Sequence, residues 1–142
     1  KAYGRIRDAA QPLSTEEELT AKLSLLNDLI LQDILMAKAR ELAGMPVAIL
    51  DFEFAKSPET LALCRETDFG KRMSGFGCVD SSTPATESVA EIRSRIGKAL
   101  TVFPAEQLLI DPDCGLRMLP REAAFLKLSR MVEAVREVRK DL

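Results

Sequence analysis

The chain has 142 residues, 46% hydrophobic and 30% charged, with 20 Lys and Arg against 22 Asp and Glu for a net charge of −2. That is enough for one domain with its own core and excludes low-complexity disorder; no run approaches the ~20 uncharged apolar residues that span a bilayer. There is no basic stripe with interleaved aromatics, no Trp and one Tyr, so neither nucleic acid nor a membrane is an expected partner.

Residues 1–13 are polar, lack a period and read as a tail or connection; residues 14–142 read as a single α/β domain. Ser14-Thr-Glu-Glu17 is a capping box, in which hydroxyl and carboxylate satisfy free amides at a helix start. Leu19, Leu23, Leu26, Ile30 and Ile34 then recur at helical spacing, and Gly44 is a stop. The expectation is a long amphipathic helix over residues 15–43. Next, Pro46-Val-Ala-Ile-Leu-Asp-Phe-Glu53 is short and nearly continuous in apolar residues, as a buried parallel strand would be. Ser57-Pro58 predicts a helix with Ser57 as cap, Pro58 in the first position and Leu61, Ala62 and Cys64 facing inward.

Gly75-Phe-Gly-Cys-Val-Asp80 reads as a second strand whose glycines permit close backbone approach. Ser88-x-x-Glu91 is a second capping box, leading a helix with Val89, Ile92, Ile96 and Leu100 on one face and Pro104 after its end. Gln107-Leu-Leu-Ile-Asp111 is the third strand. Pro120 begins a last helix with Ala124, Leu128, Met131, Val132, Val135 and Val138 as its stripe. A long helix followed by three strand–helix units implies parallel strands joined by right-handed crossovers. Two architectures fit: a small open three-layer sheet, or part of a β/α barrel, whose whole form needs more than ~200 residues.

The chain has no His, which removes any mechanism needing a His base from within it. Cys64, Cys78 and Cys114 are widely spaced and include no C-x-x-C pair. Three thiols without a secretory signal suggest a reduced, cytoplasmic setting. Cys64 and Cys78 read as core residues. Lys71-Arg72 and the group Arg136, Arg139 and Lys140 read as solvated surface.

In parallel α/β folds, ligands bind beyond the carboxyl ends of the strands. Glu53 ends the first strand, Asp80 ends the second, and Cys114 follows the third in Asp111-Pro-Asp-Cys-Gly-Leu116. All three are expected on one rim, and the oxygen of Glu53 with the sulfur of Cys114 suits zinc. Each also has a plain structural reading. A carboxylate at a strand end often caps a helix or pairs on the surface. Asp80 with Ser81 and Ser82 can organise a turn. Cys114 can be a small residue in a tight loop.

Three segments in order carry a family resemblance. Asp111-Pro-Asp-Cys-Gly-Leu116, followed by Arg117-Met-Leu-Pro-Arg-Glu122 and Met131-Val-Glu-Ala-Val-Arg136, resembles the C-terminus of cobalamin-independent methionine synthases. The likeness is strongest to their short, archaeal-type core form. Leu50-Asp-Phe-Glu-Phe-Ala55 and Gly75-Phe-Gly-Cys-Val-Asp-Ser-Ser82 resemble the two preceding barrel strands. The resemblance covers roughly residues 45–142 and implies the C-terminal part of a (β/α)8 TIM barrel with a catalytic zinc. Glu53 and Cys114 correspond to two of its ligands, and Asp80 and Ser82 to catalytic positions near the thiol or methyl donor. The implied reaction moves a methyl group from a methyl-corrinoid protein or a methyl-folate to the thiol of homocysteine, giving methionine. Zinc supports it by lowering the thiol pKa.

The family's other two ligands, a His-x-Cys pair, have no counterpart here, nor does its upstream Asp-Glu-Pro strand. Ser82 stands about where the long, folate-using enzymes carry a His, which agrees better with the core form. Two of four ligands would hold zinc weakly. The enzyme reading therefore expects the rest of the barrel before Lys1, between Gly44 and Met45, or in another chain. Three alternatives remain: a non-catalytic half-barrel or binding module pairing with itself or a partner, including as a homo-oligomer; a related transferase acting on another thiol such as coenzyme M; and a thiol redox protein using Cys78 and Cys114.

Overall fold

The computed structural model describes residues 16–142. The expected tail and the Ser14 capping box fall outside that range. The chain divides into two compact units, the first running to Leu42 and the second from Ala43 to Leu142.

The first unit holds helix α1, Glu16–Ala43. The expected single stripe is not what forms. Leu23, Ile30 and Ile34 are about half exposed, as is Leu25 off that stripe, and Leu35 is exposed to a lesser degree. The reason is in the sequence: Leu25 and Leu35 stand off the line of Leu23, Leu26, Ile30 and Ile34, so apolar residues are not confined to one face.

The second unit is three strand–helix repeats. Strand β1 is Ile49–Glu53, β2 Met73–Val79 and β3 Leu108–Pro112. They form a parallel sheet in the order β1-β2-β3. The helices are α2 (Thr60–Arg65), α3 (Val89–Ala99) and α4 (Arg121–Val138), with one 3₁₀ turn at Ala105–Gln107. Helices α3 and α4 pack on each other and on β2. The fold is thus α/β with parallel strands and crossover helices, as the alternation predicts.

The middle strand β2 is buried from Ser74 to Val79. Strand β1 is not the continuously buried strand expected: Leu50 is buried and Phe52 half-buried, whereas Ile49, Asp51 and Glu53 are exposed. With a neighbour on one side only, β1 alternates, and the alternation puts both carboxylates on the face away from the helices. The register pairs Asp51 with Gly75 and Glu53 with Gly77, and continues from Gly75 to Leu109 and from Gly77 to Asp111. The two glycines floor that face. A Cβ at Gly75 would run into the Asp51 carboxylate, so the close approach anticipated for these glycines is present.

On the other face lies the core: Phe54, Phe76, Cys78, Val79, Ile92, Ile96, Ala99, Phe103 and Ala134. Phe54 stacks on Phe76 with ring centroids 4.6 Å apart. Cys64 and Cys78 are buried, as read.

Two helix expectations are corrected. Ser57 does not cap α2 with its hydroxyl. Its carbonyl accepts the Thr60 amide at 3.1 Å in a preceding turn, and α2 starts three residues later, behind Glu59, with no side-chain cap. Ala62 is exposed. In α4, Leu128 and Val132 are exposed, and the buried residues are Lys127, Ala134 and Val138, with Met131 half-buried between them. That spacing is equally helical. A hydrophobic pattern passes over it because its first member is a lysine. The Ser88–Glu91 capping box of α3 forms in full.

Candidate functional site

The three strands end side by side, and their exit loops carry the residues singled out by the sequence. Glu53 is exposed at the end of β1, and Cys114 is exposed two residues beyond β3. Between them the β2 exit turns at Asp80. The Asp80 carboxylate accepts both the amide and the hydroxyl of Ser82, each at 2.7 Å. These two bonds hold the Asp80 carboxyl below its ordinary value, helped by the charges of Lys127 and Lys56. The turn predicted for Asp80 and Ser82 therefore exists, and it also fixes a charged carboxylate at the rim.

Asp113, which the sequence reading passed over, links the outer strands. Its Oδ1 accepts the Ala55 amide at 2.9 Å and its Oδ2 the Lys56 amide at 2.8 Å. Its own amide donates to the Val79 carbonyl at 2.9 Å. The carboxylate lies in the space left by Gly77, where a Cβ would come within 2.5 Å of Oδ1. The pairing of β2 with β3 shifts register between Gly77 and Val79, next to this loop. Burial raises the Asp113 carboxyl; its two backbone donors oppose this, while the charges of Glu53 and Asp80 add to it. Glu53, Asp80 and Asp113 thus share one small region of negative charge. Asp111 is raised too, by burial and then by Asp51.

A second set of groups anchors the β2–α3 loop. Glu87 accepts the Asp80 amide at 2.7 Å on Oε1, and Lys127 Nζ at 2.9 Å and Arg95 at 3.3 Å on its two oxygens. Lys127 is 0% exposed and also donates to the Ala85 carbonyl. Arg95 donates to the Cys78 carbonyl at 2.7 Å, and Arg130 donates to Thr86 and to the Glu87 carbonyl. Burial acts to raise the Glu87 carboxyl, but Lys127 and the Asp80 amide outweigh it and hold it low. The only sequence signal for this network is a lysine at a core-facing helical position, and its partner lies 40 residues away.

Burial pushes the Cys64 and Cys78 thiols up to about 12. Cys78 is fully buried and Cys114 exposed. A redox role for Cys78 with Cys114 is not supported, because a buried, protonated thiol is a poor nucleophile.

The donor chemistry of Glu53 and Cys114 fits zinc, which takes carboxylate oxygen and thiolate sulfur. Two donors do not close a zinc site, and among the described residues no three His, Cys, Asp and Glu side chains form a group able to hold a metal.

The fold and these residues agree with a known family. Residues 27–137 match the model of the cobalamin-independent synthase catalytic domain, and the chain belongs to this family. Its relatives include archaeal methionine synthases. The one from Methanothermobacter marburgensis is 47% identical over 97 residues, covering 68% of this chain and 31% of that protein. The one from Pyrococcus furiosus is 50% identical over 82 residues, covering 55% and 24%. Among solved structures, a B12-independent methionine synthase from Shewanella sp. W3-18-1, in complex with selenomethionine, superposes with a TM-score of 0.63. It is 24% identical and the match covers 72% of this chain and 30% of that one. The chain thus spans about a third or less of the curated relatives it matches, and its fold is that of part of a β/α barrel.

Proposed function

We propose that this chain supplies the C-terminal zinc-site rim of a methyltransferase that converts homocysteine to methionine. The observation that carries the reading is the strand-end arrangement. Glu53 and Cys114, an oxygen and a sulfur donor, leave the two strands flanking Gly77, in a member of the cobalamin-independent synthase family. Bound zinc would supply thiol activation, lowering the acceptor pKa so that the thiolate is present at neutral pH. The remaining ligands and the pocket for the amino acid come from residues outside this set.

In the transfer, the acceptor thiol gives up its proton to solvent, a sulfur–carbon bond forms, and the donor–methyl bond breaks with its electron pair staying on the donor. Asp80 and Ser82 form a fixed polar pair on the same rim, placed to meet the thiol or the incoming donor. Ser82 in place of a histidine favours a methyl-corrinoid donor over a methyl-folate. Among the described residues no helix is long and apolar enough to cross a membrane; the three free thiols favour a reduced, cytoplasmic setting.

The test is methyl transfer by the completed barrel, this chain together with the residues that supply the remaining ligands, from methylcobalamin to homocysteine, with coenzyme M as the alternative acceptor. Wild type is expected to form methionine, and Cys114→Ser to lose at least a hundredfold in rate. Equal rates in the two proteins would sink the assignment. A second reading, a non-catalytic half-barrel that pairs with itself or a partner, rests on the lack of a three-donor group among the described residues. It predicts no turnover with either acceptor.

A further inference from the structure

Glu53 and Cys114 leave strands that are not neighbours. Adjacent strands lie about 4.8 Å apart, so the exits of β1 and β3 are separated by roughly 10 Å of sheet. Two donors to one ion approach it to about 2.0–2.3 Å. A flat sheet edge therefore does not bring these two residues to a common point; the exit loops must lean together over β2. Asp113 spans that gap. It lies next to Cys114, uses both carboxylate oxygens on the backbone just past Glu53, and occupies a niche that exists because residue 77 has no side chain.

We propose that Asp113 is a positioning residue for a metal site. By bridging the β1 and β3 exits across Gly77, it holds the Glu53 carboxylate and the Cys114 thiol as a pair facing one ion. This rests on the zinc reading above and adds to it the group that sets the geometry. Asp113 itself is not a ligand in this account: both of its oxygens are occupied by backbone amides. Gly77 is the second part of the device. A methyl group there would meet Asp113 Oδ1 at 2.5 Å and the Phe52 carbonyl at 2.7 Å, and would push the bridge off the strand.

The experiment uses the purified completed barrel, this chain together with the residues that supply the other ligands, as wild type, Asp113→Asn, Gly77→Ala and Cys114→Ser. Zinc affinity is measured by competition with a chromophoric chelator. Cobalt(II) is then titrated in its place to read the thiolate-to-metal absorption band. Folding of each variant is followed by far-ultraviolet circular dichroism. Asp113→Asn keeps the shape but turns one acceptor into a donor facing a backbone amide. It is expected to weaken zinc binding 10- to 100-fold, the usual loss when an outer-shell partner is removed, and to weaken and shift the cobalt–thiolate band while the protein stays folded. Gly77→Ala should do the same from the other side of the bridge. A merely structural Asp113 would lower the melting temperature and leave affinity and band unchanged in the folded protein; that result overturns the proposal and leaves the zinc reading intact. A wild type that binds neither metal overturns both. If neither variant folds even in excess zinc, Asp113 is a residue of the fold and the positioning role is overturned.

Discussion

Lys127 shows how one residue can serve packing and electrostatics together. Its side chain is fully buried in α4, and its ammonium group is used by Glu87 and the Ala85 carbonyl. Removing the charge leaves a buried carboxylate short of its main partner, a change that typically costs about 3–5 kcal/mol. Lys127→Met should therefore lower stability by about 3 kcal/mol, the remaining Arg95 contact softening the loss; urea unfolding measures it. Glu87 is held below its ordinary carboxylate range, so its contribution is fully present above that range and is lost as pH falls through the lower, folded value. Stability should thus drop on acidification below about pH 4.3, and Glu87→Gln should make that drop shallower. An unchanged slope would mean that Glu87 is not the group responsible. The cysteines give a third prediction at this scale. Maleimide at pH 7 should label Cys114 alone in the native protein, and Cys64 and Cys78 only after unfolding, because those two thiols are buried and pushed up to about 12. Intact mass reads the number of adducts.

At the scale of elements, what was legible was local. The Ser88–Glu91 box forms with both reciprocal bonds, at 3.2 Å and 2.7 Å, because the residues that make it lie three positions apart. Ser88→Ala should cost about 1 kcal/mol, read as a loss in the urea midpoint. The three strands and α4 also fall close to the positions expected, since runs of apolar residues bounded by Gly and Pro are local signals. What was not legible depended on partners far along the chain. The Asp113 bridge joins residues 57 and 58 positions apart, and the Lys127–Glu87 pair joins residues 40 apart. Nothing near Asp113 marks it as a bridge rather than a turn residue, and only helical spacing with Met131, Ala134 and Val138 marks Lys127 as a core residue rather than a solvated one. Ser57 failed as a cap for a related reason: its carbonyl, not its hydroxyl, was taken up by the turn before α2.

At the scale of the molecule, the unit from Ala43 to Leu142 orders its sheet so that one face is core and the other carries Asp51, Glu53 and Asp111 over two glycines. That polarity is what a β/α barrel requires, with its chemistry at the carboxyl ends of the strands and its helices outside. The candidate site was partly legible: Glu53, Asp80 and Cys114 do lie at the ends of three adjacent strands. The coupling between them was not, because it runs through backbone amides. The central claim is that Glu53 and Cys114 belong to a zinc site, and metal content tests it most directly. Native mass spectrometry of the completed barrel, this chain together with the residues that supply the other ligands, should show one zinc in wild type and none in Cys114→Ser. A metal-free wild type, or a Cys114→Ser protein that keeps its zinc, would contradict the account.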